Sequence, residues 1–343
     1  MAPLRRLGEL TAGGNEASDL LPVHSPELLA AHGWRTAFWT VLDEGPVEQS
    51  IALIGEDRSG RWAARLLAVD VGAQVGRTED AEALAYRDGY VYVFGSHFGS
   101  KRGPLRPRRA FAARFREADA ARPEPVAGWV VRNDFRLHRA VNDALSTAGV
   151  PLRPHRTVRD RFLIETLRRG TAKARSWTAL LLMDDAPVNV EGVAFTPGGT
   201  LLLGLRYPVS AGGEPLLVEV SDVDTLFAPD PSRLPEVSGV YVLRGATGPG
   251  TVSGIRALAP LPDGAFEAVV GSIDALDKGS VLLDDHPEGG DVTCRHVRFR
   301  LPGGHAEVLA ELPFHHVEGL ATVEGRTFFV TDEDHRIALW CSG

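Results

Sequence analysis

Cysteine is almost missing from this 343-residue chain, and its two copies, Cys294 and Cys341, show no CxxC spacing. Two such thiols cannot build a scaffold of bridges and are expected to be ordinary buried or surface groups. No uninterrupted apolar run approaches the ~18 residues that a membrane-spanning helix needs. The opening MAPLRRLGELTAGG lacks the apolar stretch of a secretion signal, so a cytoplasmic protein with no membrane partner is expected. Excess positive charge is missing too. A formal net charge of −8 and a pI near 5.8 argue against general nucleic-acid binding. No GxGxxG turn, Walker loop or GxSxG elbow occurs, so neither a nucleotide cofactor nor serine-hydrolase chemistry of the usual kind is expected.

What the chain does contain is a repeated phrase. DAEALA from Asp80, NVEGVA from Asn189, VSGIRAL from Val252 and HVEGLA from His316 are each followed by a Gly-, Asp- or Pro-rich turn and an apolar run. Those runs are YVYVFGSH from Tyr90, TLLLGLR from Thr200, FEAVVGSID from Phe266 and RTFFVTDED from Arg326. A β-hairpin is therefore repeated along the chain. With 44% hydrophobic and 24% charged residues the chain has ample core, and repeats of this kind favour one large domain, residues 1–343, over two. The expected fold is all-β: a β-propeller of five or six blades, because recurrence of whole hairpins suits blades around an axis better than a two-sheet sandwich. Counted at one offset from Ala83, Gly192 and Gly319, His97, Arg206 and Glu333 are expected to be equivalent.

Glu82 and Glu191 lie much further apart in the chain than the later copies do, so something is inserted between them. Leu137, Val141, Ala144, Leu145 and Ala148 recur at helical spacing, ended by Gly149 and Pro151. A second helix is expected over TVRDRFLIETLRRG, with Thr157 as N-cap. Residues 132–172 thus read as a helical insertion within one blade, either a packing elaboration or a lid over the channel mouth. A strand is also expected from Thr178 to Met183.

GSHFGSKRG from Gly95 with the RRAFAARF segment, NVEGVAFTPGGTLLLGLRYPV from Asn189, GIRAL from Gly254 and HVEGLA from His316 resemble, in that order, the hallmarks of a bacterial family known only as domain of unknown function 3616. The resemblance covers roughly residues 36 to 340. It implies a propeller related to phytase-like and esterase-like propellers, with no settled chemistry. The first copy departs from the pattern: it reads DAEALA where the family has an EG pair.

Repeat-equivalent positions converge on a propeller's axis. Glu82, Glu191 and Glu318 are therefore expected to be neighbours there, with Arg206 and Arg256 among them, joined by His97, Ser96, Lys101 and Arg102 from the first copy. Such a set can hold a small anionic molecule on Ser96 and the cations Lys101, Arg102, Arg206 and Arg256, and move protons through His97, Glu82, Glu191 or Glu318. It can equally be a salt-bridge network that closes the ring. A divalent ion (Ca, Mg, Mn or Zn) held by Glu191, Glu318 and Asp332, with Asp334, His316 and His335 nearby, is a further expectation. Two functions stay open: a hydrolase of a phosphoester or ester, with a lyase or cyclase next, or a non-catalytic propeller that binds a partner protein. Seven basic residues between Lys101 and Arg116 read as a solvated loop and strand edge, or in part as an anion-gathering rim.

Overall fold

The computed structural model describes residues 3–343 apart from 13–15, 43–44, 73–75, 124, 277–278 and 334–335, and apart from the side chains of Asp332 and Glu333. After β1 (Arg5–Leu10) the chain builds five sheets in turn. Blade I is β2 (Ala17–Pro22), β3 (Trp34–Leu42), β4 (Ile51–Asp57) and β5 (Trp62–Leu67). Blade II is β7 (Ala81–Arg87), β8 (Tyr90–Gly95), β9 (Phe111–Arg116) and β10 (Val126–Arg132), with the two-residue β6 (Val69–Asp70) on its outer edge. Blade III is β11 (Asn189–Phe195), β12 (Leu201–Tyr207), β13 (Leu216–Val220) and β14 (Val237–Val242). Blade IV is β15 (Gly254–Pro260), β16 (Phe266–Gly271), β17 (Arg295–Phe299) and β18 (Ala306–Glu311). Blade V is β19 (Val317–Val323), β20 (Arg326–Glu333) and β21 (Arg336–Ser342), and β1 completes it by pairing antiparallel with β21. The ring is thus a five-bladed β-propeller, closed by hydrogen bonds between the two ends of the chain.

Strands with apolar residues on both sides form because each blade is sandwiched between two others. Neighbouring residues of one strand point opposite ways and enter different cores. On β3, Phe38 packs toward blade V with Phe328 and Leu339, while Trp39 packs toward blade II with Phe111 and Phe115. On β20, Phe328 meets blade I and Phe329 meets blade IV beside Cys294 and Val269. Burying both faces explains why LLLGL and TFFV read as unbroken apolar runs.

The inner strands β2, β7, β11, β15 and β19 pack around the axis. Their approach explains the glycine of the repeat. A Cβ on Gly192 would stand 2.8 Å from the Cβ of Leu258, and one on Gly319 would stand 2.6 Å from the backbone carbon of Asp19.

Three sequence expectations change. Helix α1 (Pro26–His32) joins β2 to β3, but the main helical segment, α2 (Arg136–Thr147), α3 (Arg156–Arg159) and α4 (Glu165–Ala172), connects β10 to β11. It lies between two blades, at the ordinary outer-to-inner crossover, and not within one. Thr157 is inside α3; the backbone amides of Thr157 and Val158 are capped by the Asp285 carboxylate at 3.3 and 3.0 Å, from α5 (Val281–Asp285) between β16 and β17. A π-turn, Asp160–Ile164, bridges α3 and α4. The expected strand at Thr178–Met183 is a short 3-10 turn over Ser176–Leu180, because Thr178 and Trp177 fold back onto Gly170 of α4.

Phe98 stacks on Phe162 at 4.5 Å, and both join Val158, Leu163, Tyr207, Ile273 and Leu282 in one apolar cluster. The buried Arg136 guanidinium anchors α2, donating to Asp134 and to the carbonyls of Thr225, Leu226, Asp230 and Arg233.

Gly319→Ala forces a β-carbon against the rigid backbone of β2 and is expected to cost about 1–3 kcal/mol, as overpacking does. Urea unfolding of the variant against the parent checks this; an unchanged midpoint would refute the account of the glycine.

Candidate functional site

In every inner strand the register slips: between Ala81 and Ala83, Val190 and Gly192, Ile255 and Ala257, Val317 and Gly319, and Ser18 and Leu21, with a second slip in β11 between Asn189 and Val190. A bulge re-aims the extra residue. That residue is Glu82, Glu191, Arg256 or Glu318 in the four recognised copies, and Asp19 is its counterpart in blade I. Sequence reading missed Asp19, since SDLLP keeps only the acidic position of the phrase. Its carboxylate accepts from the amides of Leu84 on β7 at 2.6 Å and Leu20 at 2.8 Å, tying blade I to blade II. Burial pushes this carboxyl up to about 8, with the two amide bonds pulling the other way.

Three of the remaining bulge residues, Glu191, Arg256 and Glu318, are held in ion pairs. Arg206 donates from Nη1 to Glu191 Oε1 at 2.9 Å and from Nε to the Ser272 carbonyl at 3.3 Å; Asn189 Nδ2 donates to the same Glu191 oxygen at 3.1 Å. The Arg256 guanidinium pairs with Glu318. For Arg206, desolvation is outweighed by Glu191, Asp274 and Glu82, which hold its pKa above the ordinary value. For Arg256 desolvation wins, helped by repulsion from Arg206, and its pKa is lowered.

Beside these pairs a cavity of about 100 Å³ is lined by Asp80, Glu82, Ser96, Lys101, Arg109, Asn189, Glu191, Arg206 and Asp274. Phe98, Ile273 and Leu282, which share an apolar cluster with Val158 and Phe162 of the helical segment, also line it, so that segment packs behind the cavity's apolar wall. Asp80 is the principal group that the sequence did not mark. It opens the DAEALA phrase and was read only as its frame. Its backbone is left-handed, at φ 68°, a conformation Asp tolerates at a cost. Its carboxylate accepts from Arg109 Nη1 at 2.7 Å and from the Ser96 hydroxyl. Burial raises the Asp80 carboxyl to about 6, Arg109 and Ser96 opposing the rise, and Glu191 and Glu79 adding to it.

The expected residues divide as follows. Ser96, Lys101, Glu82, Glu191 and Arg206 come together around the cavity, with the Arg256–Glu318 pair adjoining electrostatically. Arg102 is exposed and lies against Gly279, outside the lining.

His97 is not in the channel lining, and its equivalence with Arg206 fails by one residue. The β7–β8 hairpin closes at Arg87 and Tyr90, whereas β11–β12 closes at Phe195 and Leu201 around a longer turn. The register therefore matches Ser96, not His97, to Arg206, and on β20 matches Asp332, not Glu333. His97 is buried near His138, Asp134 and the Phe111 backbone. Burial, with His138 adding and Asp134 opposing, lowers its pKa to about 4.

Two of the three expected metal ligands are already engaged by cations. Glu191 and Glu318 each hold a guanidinium, which repels a cation, and among the described residues no three His, Cys, Asp or Glu side chains gather at metal distance. The Asp332 side chain, and Asp334 and His335 altogether, lie outside the described residues.

Fold and site together define a five-bladed β-propeller with an arginine–carboxylate network at one end of its channel. Among solved structures, the chain is similar to the mannose phosphorylase MPT-4 from Leishmania mexicana (TM-score 0.42, 10% identity, 98% of this chain and 88% of that one). It is also similar to the WD40 β-propeller domain of Doa1 (0.38, 9%, 99% and 97%) and to luciferin-regenerating enzyme (0.39, 10%, 100% and 96%). No protein-family model and no curated protein matches the chain. At such scores no activity is carried across, and the fold class rests on the five sheets themselves. No helix among the described residues is long and apolar enough to cross a membrane.

Two outcomes are expected. Glu191→Gln and Arg206→Met should each lower unfolding stability by about 3–5 kcal/mol, because one buried charge loses its partner. The double variant should lose less than the sum, and strict additivity in urea unfolding would contradict a direct pair. For Asp80 the folded carboxyl holds its proton more tightly than the unfolded one. Stability therefore falls as pH rises from about 4 to about 6, by about 3 kcal/mol at 1.36 kcal/mol per pH unit. Asp80→Asn should remove that slope; a parent and variant with parallel profiles would refute the raised value.

Proposed function

We propose that this propeller is a hydrolase whose polar channel cavity takes the anionic end of a small phosphoester or ester. The observation that supports it most is the company Asp80 keeps: a buried carboxyl raised to about 6, in one cavity with the cations Lys101 and Arg206. A titrating acid beside fixed cations in an enclosed pocket is the usual mark of a catalytic site. The volume of about 100 Å³ suits one phosphate- or carboxylate-sized group.

In this reading Lys101 and Arg206 hold the anionic group and offset the charge that builds on it in the transition state. Water attacks the phosphorus or carbonyl carbon, its proton passes to Glu82, and protonated Asp80 gives its own proton to the departing oxygen. Arg109 and Ser96 orient Asp80. His97 has no part, since it does not reach the cavity. Elimination or cyclisation could draw on the same two carboxyl groups.

A second reading, a non-catalytic propeller that presents its rim to a partner protein, is favoured by one observation: Glu191, Glu318 and Asp80 are each already paired with an arginine.

The test is a hydrolysis assay with p-nitrophenyl phosphate, p-nitrophenyl acetate and a panel of small phosphomonoesters and carboxylate esters. Turnover is expected to fall as pH rises past about 6, because the acid must be protonated. Asp80→Asn should lower kcat by about 100-fold or more, the scale of general acid catalysis, with circular dichroism unchanged. Lys101→Met should chiefly raise KM. No turnover in the parent, or equal turnover in Asp80→Asn, would leave the scaffold reading.

A further inference from the structure

A second concavity, of about 1000 Å³, opens between the 100–108 loop on one side and α4 with its following turn on the other. Seven lysine and arginine side chains line it against a single carboxylate, Glu79. Arginines on a surface are commonly solvated and paired. Here Arg106 pairs with Glu79 and Arg169 with Glu165. Arg77, Arg108, Lys173 and Arg175, however, have no carboxylate partner among the described residues. The chain as a whole carries 45 acidic against 37 basic residues, so the concentration of cations in one recess is local and runs against the balance of the molecule.

The recess is also built to keep its shape. The Leu105 amide donates to the Thr166 hydroxyl at 2.9 Å, fastening the loop to α4, and Gly103, at φ 68°, sits so close to Arg161 that a β-carbon there would lie 2.5 Å from its carbonyl oxygen. Like charges fixed in one cleft repel one another unless an anion lies among them.

We infer that this cleft binds a small polyanion carrying two or more phosphate groups. Guanidinium forks match phosphate oxygens two at a time, and several forks around one recess select multiple phosphates over a single one. The volume is that of a small-molecule site. A long nucleic acid would meet the excess negative charge elsewhere on the molecule. The inference does not rest on the proposed hydrolase activity. The two cavities are separate, with Arg109 between them, donating to Glu79 on one side and to Asp80 on the other.

The test is isothermal titration calorimetry of the full chain with tripolyphosphate, at low and at physiological salt. A single saturable site is expected, weakening as salt rises. Arg108→Glu and Arg175→Glu, both at exposed positions, should each weaken binding about tenfold or more, the scale of one lost charge-assisted contact. Arg58→Glu, the same charge change in the exposed turn between β4 and β5, should leave binding unchanged. No binding, or equal weakening by Arg58→Glu, would overturn the site. Citrate binding as tightly as tripolyphosphate would overturn the phosphate assignment. Tighter binding of oligothymidylate, with the same sensitivity to Arg108→Glu and Arg175→Glu, would overturn the small-ligand assignment in favour of nucleic acid.

Discussion

Five strands crowd one axis, and the charge that each turns inward at its bulge has to be answered there. Burial makes an unpaired ion cost several kcal/mol, so the arrangement depends on matching acids to bases across blades. Glu191 is matched by Arg206 within blade III, and Glu318 of blade V by Arg256 of blade IV. Asp19 is matched by backbone amides, one of them from blade II. The packing of the inner strands and the charge of the channel therefore share the same residues. The glycines after Glu191 and Glu318 serve the same crowding, since only hydrogen fits where adjacent inner strands touch.

The helical segment follows from that centre. The crossover from β10 to β11 is longer than its neighbours, and its apolar face has to be covered. It finds cover in two places. Leu137, Val141 and Leu145 of α2 pack against Val188, Val190 and Leu205 beside blade III. The face carrying Val158, Phe162 and Leu163 instead packs with Phe98, Ile273 and Leu282 near the channel cavity. Both faces are thus packing surfaces, one against blade III and the other behind the apolar residues that line the cavity. By folding against the 100–108 loop it also walls a basic recess alongside the channel cavity.

His97 and Asp80 show how a short count misleads. Both belong to the phrase around DAEALA and GSH, and both have left-handed backbones. The repeat offset places His97 in the channel set. The structure gives it a buried place near His138 and leaves the channel to Ser96 and Asp80. A turn of two residues in one hairpin and of five in another shifts the register enough to exchange neighbours, and in a strand a one-residue shift reverses the direction of a side chain.

The repeated hairpin, the β-propeller, the inward charges Glu82, Glu191, Arg256 and Glu318, and the amphipathic α2 were all legible in the chain, because each is a local pattern whose period reports which face is buried. The choice of five blades over six, the closing pair β1–β21 and the fifth inward charge, Asp19, were not, because a degenerate first blade keeps the geometry of a bulge with little of its spelling. Which acid meets which base was decided only by the tertiary structure. Arg109 reaches Asp80, and Arg256 reaches Glu318 from another blade. Such contacts span separations at which sequence carries no distance information, and the raised carboxyl of Asp80 comes from burial, a property of the assembled ring alone.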